Sequence, residues 1–411
     1  MNLNPIVLSI PIFFILIGIE LLVERFTDQK LYRLPDAISN ISCGITSQLS
    51  GLFLKVLGVG VYEILAQKFA LFTLDNTTWW YWVALILLVD FAYYWAHRMS
   101  HEVNLFWGGH VVHHQSEEYN LSVALRQSSL QVVWTFAFNL PIAFLGFQTM
   151  DFVYVAALNT LYQFWIHTET INKLPRWIEL VFNTPSHHRV HHGRNPKYID
   201  KNHAGSLIIW DRMFGTFQAE EEKPTYGITK PLNSWNAVWA NMSHYAEMGK
   251  DLKRIPRWKD KVRYLFMKPG WLPEDLGGYR PAPEVEASNY EKYDTPSPLS
   301  LNLYVLFQYV LCLAATALFL FNAEKFSLAE KGLITGLITL TVVNCGVLFE
   351  GRKWVKWSEW FRIISYPLLL SALTFIFDLP GWYHGLSMLY FAISFSWFYS
   401  LQRQHEHLQV A

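Results

Sequence analysis

Charged side chains are scarce in this 411-residue sequence, and neither sign is in excess. They make up 16% of the residues, whereas an ordinary soluble domain has about 25%. The 33 Lys and Arg residues balance the 33 Asp and Glu residues, so we expect no nucleic-acid partner. Hydrophobic residues reach 52% and occur in long blocks. This composition argues against a soluble enzyme and against a disordered chain.

Cysteine is nearly absent as well. Cys43, Cys312 and Cys345 all lie in apolar stretches, and no two of them are close in sequence. The sequence therefore excludes a disulfide framework and a cysteine-rich zinc module.

The apolar residues form charge-poor blocks, and a bilayer-spanning helix needs roughly 20 of them in a row. The blocks are 1–19, 37–54, 56–73, 79–96, 127–150, 152–168, 295–323, 332–349, 363–377 and 379–402. Some of these blocks are too short or too interrupted to be certain spans. We expect an all-α, polytopic integral membrane protein with about eight transmembrane or half-buried helices.

A polar tract over residues 169–298 holds more than half of the Lys and Arg residues. Positive charge favours the cytoplasmic side, so we expect the polar part to face the cytoplasm of a bacterial inner membrane or an endoplasmic reticulum. The expected domains are N-terminal membrane helices (1–78), a histidine-rich di-metal domain (79–220), a cytosolic or interfacial connector (221–298) and C-terminal membrane helices (299–411).

Histidines are concentrated between residues 97 and 192, which hold ten of the fifteen. Three clusters have helical spacing: His97 with His101, His110 with His113 and His114, and His188 with His191 and His192. Positions i, i+3 and i+4 share a helix face, so we expect each cluster to present two or three imidazoles in one direction. Many converging neutral imidazoles indicate more than one transition-metal ion.

This histidine pattern resembles the membrane-bound fatty acid hydroxylase/sterol desaturase superfamily. The local sequence is similar to its alkylglycerol monooxygenase branch. The similar segments are 90–102 (DFAYYWAHRMSHE), 113–128 (HHQSEEYNLSVALRQS), 164–169 (FWIHTE) and 183–194 (NTPSHHRVHHGR). Segment 210–217 (WDRMFGTF) matches the closing motif of the superfamily domain.

The resemblance implies a membrane monooxygenase that uses O2 and two non-haem iron ions to hydroxylate a lipid taken from the bilayer. In that branch, oxygen enters at the ether-linked carbon of an alkylglycerol, and the hemiacetal breaks down to an aldehyde and a glycerol derivative. The branch's reductant is tetrahydrobiopterin, for which no binding residue is assigned here. The expected metal ligands are His97, His101, His110, His113, His114, His167, His188, His191 and His192.

Two carboxylates are candidates for catalysis. Asp90 lies two helical turns before His97, and a carboxylate in an apolar block is usually functional. We expect it to hydrogen-bond a ligand histidine or to pair with Arg98 or Arg126. Glu102 matches a glutamate of the branch motif, and the alternative is a charge on the helix surface. No role is assigned to His187, or to His203, which stands where the branch has an aromatic residue.

Other functions stay open at this point. A sterol or fatty-acyl hydroxylase or desaturase would use the same metal site with a ferredoxin or cytochrome as the electron donor. A non-catalytic metal-binding protein or a metal transporter would spread its ligands through several spans.

Overall fold

The computed structural model describes residues 5–285, 290–378 and 380–409. All regular structure in these residues is helical, which confirms the expected all-α class. The chain divides into two compact units. The N-terminal unit is Met1–Asn233 with Trp239–Tyr293, and the C-terminal unit is Ser234–Val238 with Asp294–Ala411. The finer four-part division stays a prediction.

The N-terminal unit begins with three long helices, and most of the helices that follow are shorter. They are α1 (Pro5–Thr27), α2 (Leu34–Lys68), α3 (Trp79–Glu102), α4 (Asn104–His114), α5 (Leu121–Ala124), α6 (Gln131–Thr135), α7 (Leu140–Phe144), α8 (Thr149–Tyr162), α9 (Arg176–Val181), α10 (Pro185–His192), α11 (Ile209–Met213), most of α12 (Ala237–Arg254) and α13 (Trp258–Phe266). Of the expected first block 1–19, residues 1–4 lie outside the described part.

The core of this unit forms where α3 packs against α4 and α8. Leu85 is fully buried, and the rings of Tyr62 and Phe152 stack with centroids 4.3 Å apart. Burying such side chains contributes about 1.5–3 kcal/mol each. The core therefore holds the amino-terminal half of α3, which leads into the turns that carry the first two histidines.

Two of the apolar blocks form short helices and not single long ones. Block 127–150 is divided among α6, the 3₁₀ helix Phe136–Asn139 and α7. Pro141 lies in the first turn of α7, where its missing N–H is tolerated. α8 has 14 residues, or about 21 Å at 1.5 Å per residue, which is shorter than a hydrocarbon core of about 30 Å. We interpret both blocks as half-buried helices.

The C-terminal unit is built from four long helices that pack against their neighbours. They are α14 (Leu299–Phe321), α15 (Leu328–Phe349), α16 (Val355–Ile376) and α17 (Trp382–Gln409). Among the described residues, α14, α15 and α16 are long and apolar enough to cross a membrane, and the bent α2 is a fourth candidate. The chain is thus an integral membrane protein, and the expected number of about eight spans is not confirmed.

A buried ion pair lies inside the C-terminal unit. Glu359 and Arg362 are each 1% exposed. The Arg362 Nε donates to Glu359 Oε2 at 2.8 Å, and Asn344 Nδ2 donates to the same oxygen at 2.9 Å. Tyr304 donates to the other carboxylate oxygen, and Arg362 Nη1 donates to the Tyr390 hydroxyl at 2.6 Å. Side chains from all four helices therefore meet in one hydrogen-bonded network.

Candidate metal centre

Nine buried histidines meet within the N-terminal unit, and each is at most 8% exposed. They form two groups, in which one ring nitrogen per histidine lies within 4.8 Å of all the others. The five-histidine group is His97, His101, His110, His114 and His191. The four-histidine group is His113, His167, His188 and His192. The structure thus brings together all nine histidines that were predicted from the sequence as metal ligands.

Helices α4 and α10 each supply both groups. In α4, His113 belongs to the four-histidine group, while the histidines three residues before it and one residue after it belong to the other. In α10 the division is reversed, and only His191 joins the five-histidine group. Successive residues on a helix are rotated by about 100°, so positions i+3 and i+4 face different sites. Each cluster thus presents two imidazoles to one group, as expected, while the third histidine of α4 and of α10 faces the other group.

Two glycines allow α4 to lie close to its neighbours. A Cβ at Gly108 would come within 2.6 Å of the Tyr245 ring, and a Cβ at Gly109 within 2.9 Å of the Trp134 ring. Contacts below 3 Å require a neighbour to move. The glycines that precede His110 therefore fix the depth at which this helix presents its three ligands.

Backbone carbonyls orient the rings of the four-histidine group. His113 Nδ1 donates to the Arg126 carbonyl at 2.9 Å, and His167 Nδ1 donates to the Gln163 carbonyl at 2.7 Å. A neutral imidazole has one proton, so both Nε2 atoms carry lone pairs. Those two Nε2 atoms are 3.2 Å apart, and no hydrogen bond can join them. A bound cation would turn this repulsion into coordination.

Two rings of the five-histidine group are also oriented by backbone carbonyls. His97 Nδ1 donates to the His203 carbonyl at 2.8 Å, and His191 Nδ1 donates to the Lys201 carbonyl at 2.9 Å. His97 Nε2 then lies 2.9 Å from His110 Nε2. The residues present fit a metal ion in each group, since carbonyl-bound Nδ1 atoms are typical of metal-ligating histidines.

Burial keeps these rings neutral. Loss of solvation lowers the pKa of His113 to about 4 and the pKa of His191 to about 3. Metal ions bind the neutral imidazole. Both side chains are therefore available as ligands at pH 7, without having to lose a proton.

Arg126 supports the end of α4, and the sequence analysis missed this role. Its buried guanidinium donates to the Val112 carbonyl at 2.6 Å, to Gln115 Oε1 at 2.8 Å and to Asn40 Oδ1 at 3.1 Å. A cation here also interacts favourably with the carboxyl end of the helix dipole. Arg126 thus fixes His113 from two sides, through its side chain and through its carbonyl.

Asp90 does not make the contacts expected of it. Its carboxylate accepts hydrogen bonds from Asn159 Nδ2 (2.7 Å), the Ser206 N–H (2.7 Å), the Leu207 N–H (3.1 Å) and Trp210 Nε1 (2.9 Å). The expected bond to a ligand histidine, to Arg98 or to Arg126 is wrong, because these four donors occupy both oxygens. The catalytic role of Asp90 stays a prediction. Its contacts show that the carboxylate holds the loop that follows α10.

Three other candidates lie around the groups. Glu102 pairs with Arg98 Nε at 3.1 Å and is part-exposed, so its catalytic role also stays a prediction. His187 belongs to neither group, and its Nδ1 lies 3.3 Å from the Thr184 hydroxyl. His203 is buried with its ring centroid 5.0 Å from that of His101, and it too lies outside both groups.

A polar cavity of about 710 Å³ reaches the histidines. Four of them line it: His101, His114, His191 and His192. Its charged lining residues are Arg194, Asp200, Lys230, Glu247, Lys250, Asp251, Arg254, Lys268 and Arg280. These charged side chains suit a polar reactant that arrives from water.

The chain is similar to known lipid-modifying enzymes. A family model described as fatty acid hydroxylase matches residues 82–216. Alkylglycerol monooxygenase of Homo sapiens is 40% identical over 362 residues, which are 87% of this chain and 81% of that protein. The Xenopus tropicalis alkylglycerol monooxygenase is 38% identical over 87% of this chain and 80% of its own length. No solved structure matches the chain.

A more distant similarity covers about a third of the chain. Ornithine lipid hydroxylase OlsE of Rhizobium tropici is 26% identical over 133 residues, which are 32% of this chain and 40% of that protein.

Proposed function

The chain belongs to the alkylglycerol monooxygenase branch of the fatty acid hydroxylase family, and on this basis we propose that it cleaves the ether bond of alkylglycerols. It is a lipid-hydroxylating oxidoreductase of the membrane. The convergence of nine imidazoles into two groups is the observation that most supports a metal-dependent oxygenase. The finer proposal, that oxygen enters at the ether-linked carbon, rests on the relatives.

Iron in both groups would activate O2, which is the oxidant in this reaction. Acid–base side chains alone cannot oxidise the C–H bond at the ether-linked carbon. Imidazole ligands suit iron as well as copper and zinc, and the family favours iron. The proposed stoichiometry is one alkylglycerol, one O2, two electrons and two protons, giving the hemiacetal and one water. The hemiacetal then divides into an aldehyde and glycerol without further oxidation.

The chain's own residues hold and orient the centre. The carbonyls of Arg126 and Gln163 fix two ring tautomers in the four-histidine group, and those of Lys201 and His203 do so in the five-histidine group. The burial of all nine rings excludes bulk water from the ligand nitrogens. A centre held in this way is ordered before the substrate arrives, which lowers the reorganisation needed during reaction.

The polar cavity supports a proposal for how the reductant arrives. It connects a charged surface with His101 and His191, so a water-soluble donor has a route that does not pass through lipid. The proposed donor is a reduced pterin, tetrahydrobiopterin, which the family resemblance favours. The lipid would approach from the membrane side. The Lys and Arg residues of the polar tract 169–298 support a centre that faces the cytoplasm.

The experiment is an assay of the purified, iron-loaded chain in lipid nanodiscs with an alkylglycerol. Tetrahydrobiopterin is supplied as the sole electron donor, and the aldehyde is measured. We expect aldehyde to form in proportion to O2 and pterin consumed. His113→Ala is the matched inactive variant, because it removes one ligand of the four-histidine group.

Two results would overturn parts of this proposal. Aldehyde formation only with a ferredoxin or a cytochrome and its reductase would replace the pterin by a protein donor. Hydroxylation of a sterol or fatty-acyl chain, with alkylglycerol left intact, would replace the substrate. The alternative of a metal transporter is set aside, because the relatives that cover most of the chain are monooxygenases.

A further inference from the structure

One short segment lies behind three ligands of the five-histidine group. The Lys201 carbonyl accepts from His191 Nδ1 at 2.9 Å, and the His203 carbonyl accepts from His97 Nδ1 at 2.8 Å. The carboxylate of Asp200 lies 3.9 Å from the Nδ1 of His101. Residues 200–203 thus face the outer nitrogens of three imidazoles at once.

The backbone of this segment is strained in a way that places these groups. Asp200 has φ of 57° and Asn202 has φ of 55°. This left-handed region is unfavourable for most side chains, and Asp and Asn tolerate it best. Two such residues lie on either side of position 201. Their backbone conformation directs the carbonyls of 201 and 203 and the carboxylate of 200 toward the histidines. Strain of this kind persists only where surrounding structure enforces it.

Several hydrogen bonds enforce the conformation. Asn202 Nδ2 donates to the His187 carbonyl at 3.0 Å and to the Gln218 carbonyl at 2.8 Å. The His203 N–H donates to Asp211 Oδ1 at 2.8 Å, and the Asn202 N–H donates to the Thr216 carbonyl at 3.0 Å. The segment is therefore a fixed support for the rings in front of it.

Asp200 differs from the other supports because it carries a charge. The other outer contacts described above are neutral carbonyls, whereas Asp200 puts a carboxylate beside His101. The 3.9 Å between the Asp200 carboxylate and His101 Nδ1 is too long for a hydrogen bond. The electrostatic interaction is still effective at this distance. Lys268 Nζ lies 3.1 Å from the other carboxylate oxygen, and both side chains line the polar cavity. The negative charge beside His101 is thus partly balanced from the aqueous side.

We propose that Asp200 is a positioning residue that acts through His101 to set the reduction potential of the metal in the five-histidine group, with Lys268 opposing it. This rests on the proposed function, which places a redox-active metal there. A carboxylate behind a ligand imidazole makes that ligand more basic. A more basic ligand stabilises the oxidised metal, which carries the higher charge, more than it stabilises the reduced metal. Asp200 therefore lowers the potential, and Lys268 raises it.

The test is a pair of variants with opposite expected signs, Asp200→Asn and Lys268→Met, in the full iron-loaded chain. The amide removes a negative charge, so the potential of one of the two irons shifts upward. Removal of the ammonium leaves Asp200 unbalanced, so the same potential shifts downward. Asp200→Asn also weakens iron binding in that group by about ten- to hundredfold. Spectroelectrochemical titration and iron analysis measure these effects without any lipid.

The matched control is Asp275→Asn, which removes a carboxylate that pairs with Arg257 at 3.0 Å and contributes to neither histidine group. It leaves both potentials unchanged. Shifts of the same sign in Asp200→Asn and Lys268→Met, or no shift in either, would overturn the inference while the proposed function stands. Failure of the wild-type chain to bind iron would overturn both. Since Asp200 is 27% exposed, the shifts become smaller as salt concentration rises.

Discussion

The two compact units each bury a polar cluster, and the clusters differ in how their atoms are satisfied. In the C-terminal unit, both carboxylate oxygens of Glu359 accept hydrogen bonds, and Arg362 donates to that carboxylate and to Tyr390. In the N-terminal unit, lone pairs of facing histidines meet, as in the 3.2 Å approach of His113 Nε2 to His167 Nε2. The polar atoms of the first cluster are satisfied by the protein itself, whereas the proposed metal ions would satisfy the second.

Whether the buried polar atoms have hydrogen-bond partners distinguishes a structural polar core from a binding site better than the degree of burial does. Glu359 and His188 are each 1% exposed. Buried polar groups in proteins are normally hydrogen-bonded, and the exceptions call for an explanation. Removing a partner from the polar cluster of the C-terminal unit should destabilise the fold, whereas removing a ligand from the histidine groups should release metal.

The largest expected effect follows from His113→Ala, which removes a ligand that stands 3.1–3.2 Å from two others of its group. We expect the four-histidine group to lose its metal and turnover to fall by more than about a hundredfold. His187→Ala is the control, because His187 is buried beside the centre but joins neither group. Iron analysis and the aldehyde assay measure both variants. Equal metal content in the two variants would show that the ligand assignment is wrong.

The substitution Glu359→Gln tests the polar cluster of the C-terminal unit, in which Glu359 pairs with Arg362. Removing one partner of a buried ion pair leaves the other charge unbalanced, and this costs about 3–5 kcal/mol. We expect a lower unfolding midpoint in detergent, with iron per folded chain unchanged. The double variant Glu359→Met with Arg362→Met leaves no charge unpaired and should be less destabilised. Iron loss from the single variant in proportion to its lost stability would contradict the separation of the two clusters.

Arg126→Met affects both properties, because Arg126 supports a ligand and is itself buried. Hydrogen bonds to a charged group contribute about 1.5–3 kcal/mol each, so we expect a clear loss of stability. We also expect the four-histidine group to release iron before the five-histidine group does. Stepwise chelation followed by absorbance measures the order. Release of both irons together would show that Arg126 supports the whole unit and not His113 in particular.

Glu102→Gln has the smallest expected effect on stability. A part-exposed pair such as Glu102 with Arg98 contributes about 0–1 kcal/mol. Its predicted catalytic role would appear separately, as a lower kcat with unchanged iron content and unchanged unfolding midpoint. Arg98→Gln is the matched variant that removes the other half of the pair. Full turnover in Glu102→Gln would contradict the catalytic assignment.

The sequence was sufficient to predict the helical class, the membrane setting and the identity of the gathered histidines. Spacing along a single helix is a local property, and α3, α4 and α10 carry the clusters as expected. The division of ligands between two groups was not predictable in the same way. It depends on α4 and α10 each lying between two sites, which is a tertiary arrangement.

The supporting contacts were also beyond sequence reasoning. The carbonyls of Arg126, Lys201 and His203 have no side-chain signature, and Arg126 lies 13 residues from the histidine that it orients. The contacts of Asp90 were not predictable, because its donors come from α8, from the loop before α11 and from α11 itself, all distant in sequence. The one local signal was the Asp200–Asn202 pair, whose residue types favour left-handed backbone.

Counting iron in the purified, iron-loaded chain tests the proposed centre most directly. The two histidine groups predict about two irons per chain, with one lost in His113→Ala and the other in His191→Ala. One iron per chain, or stoichiometric zinc that iron cannot replace, would contradict a di-iron centre built from these nine side chains.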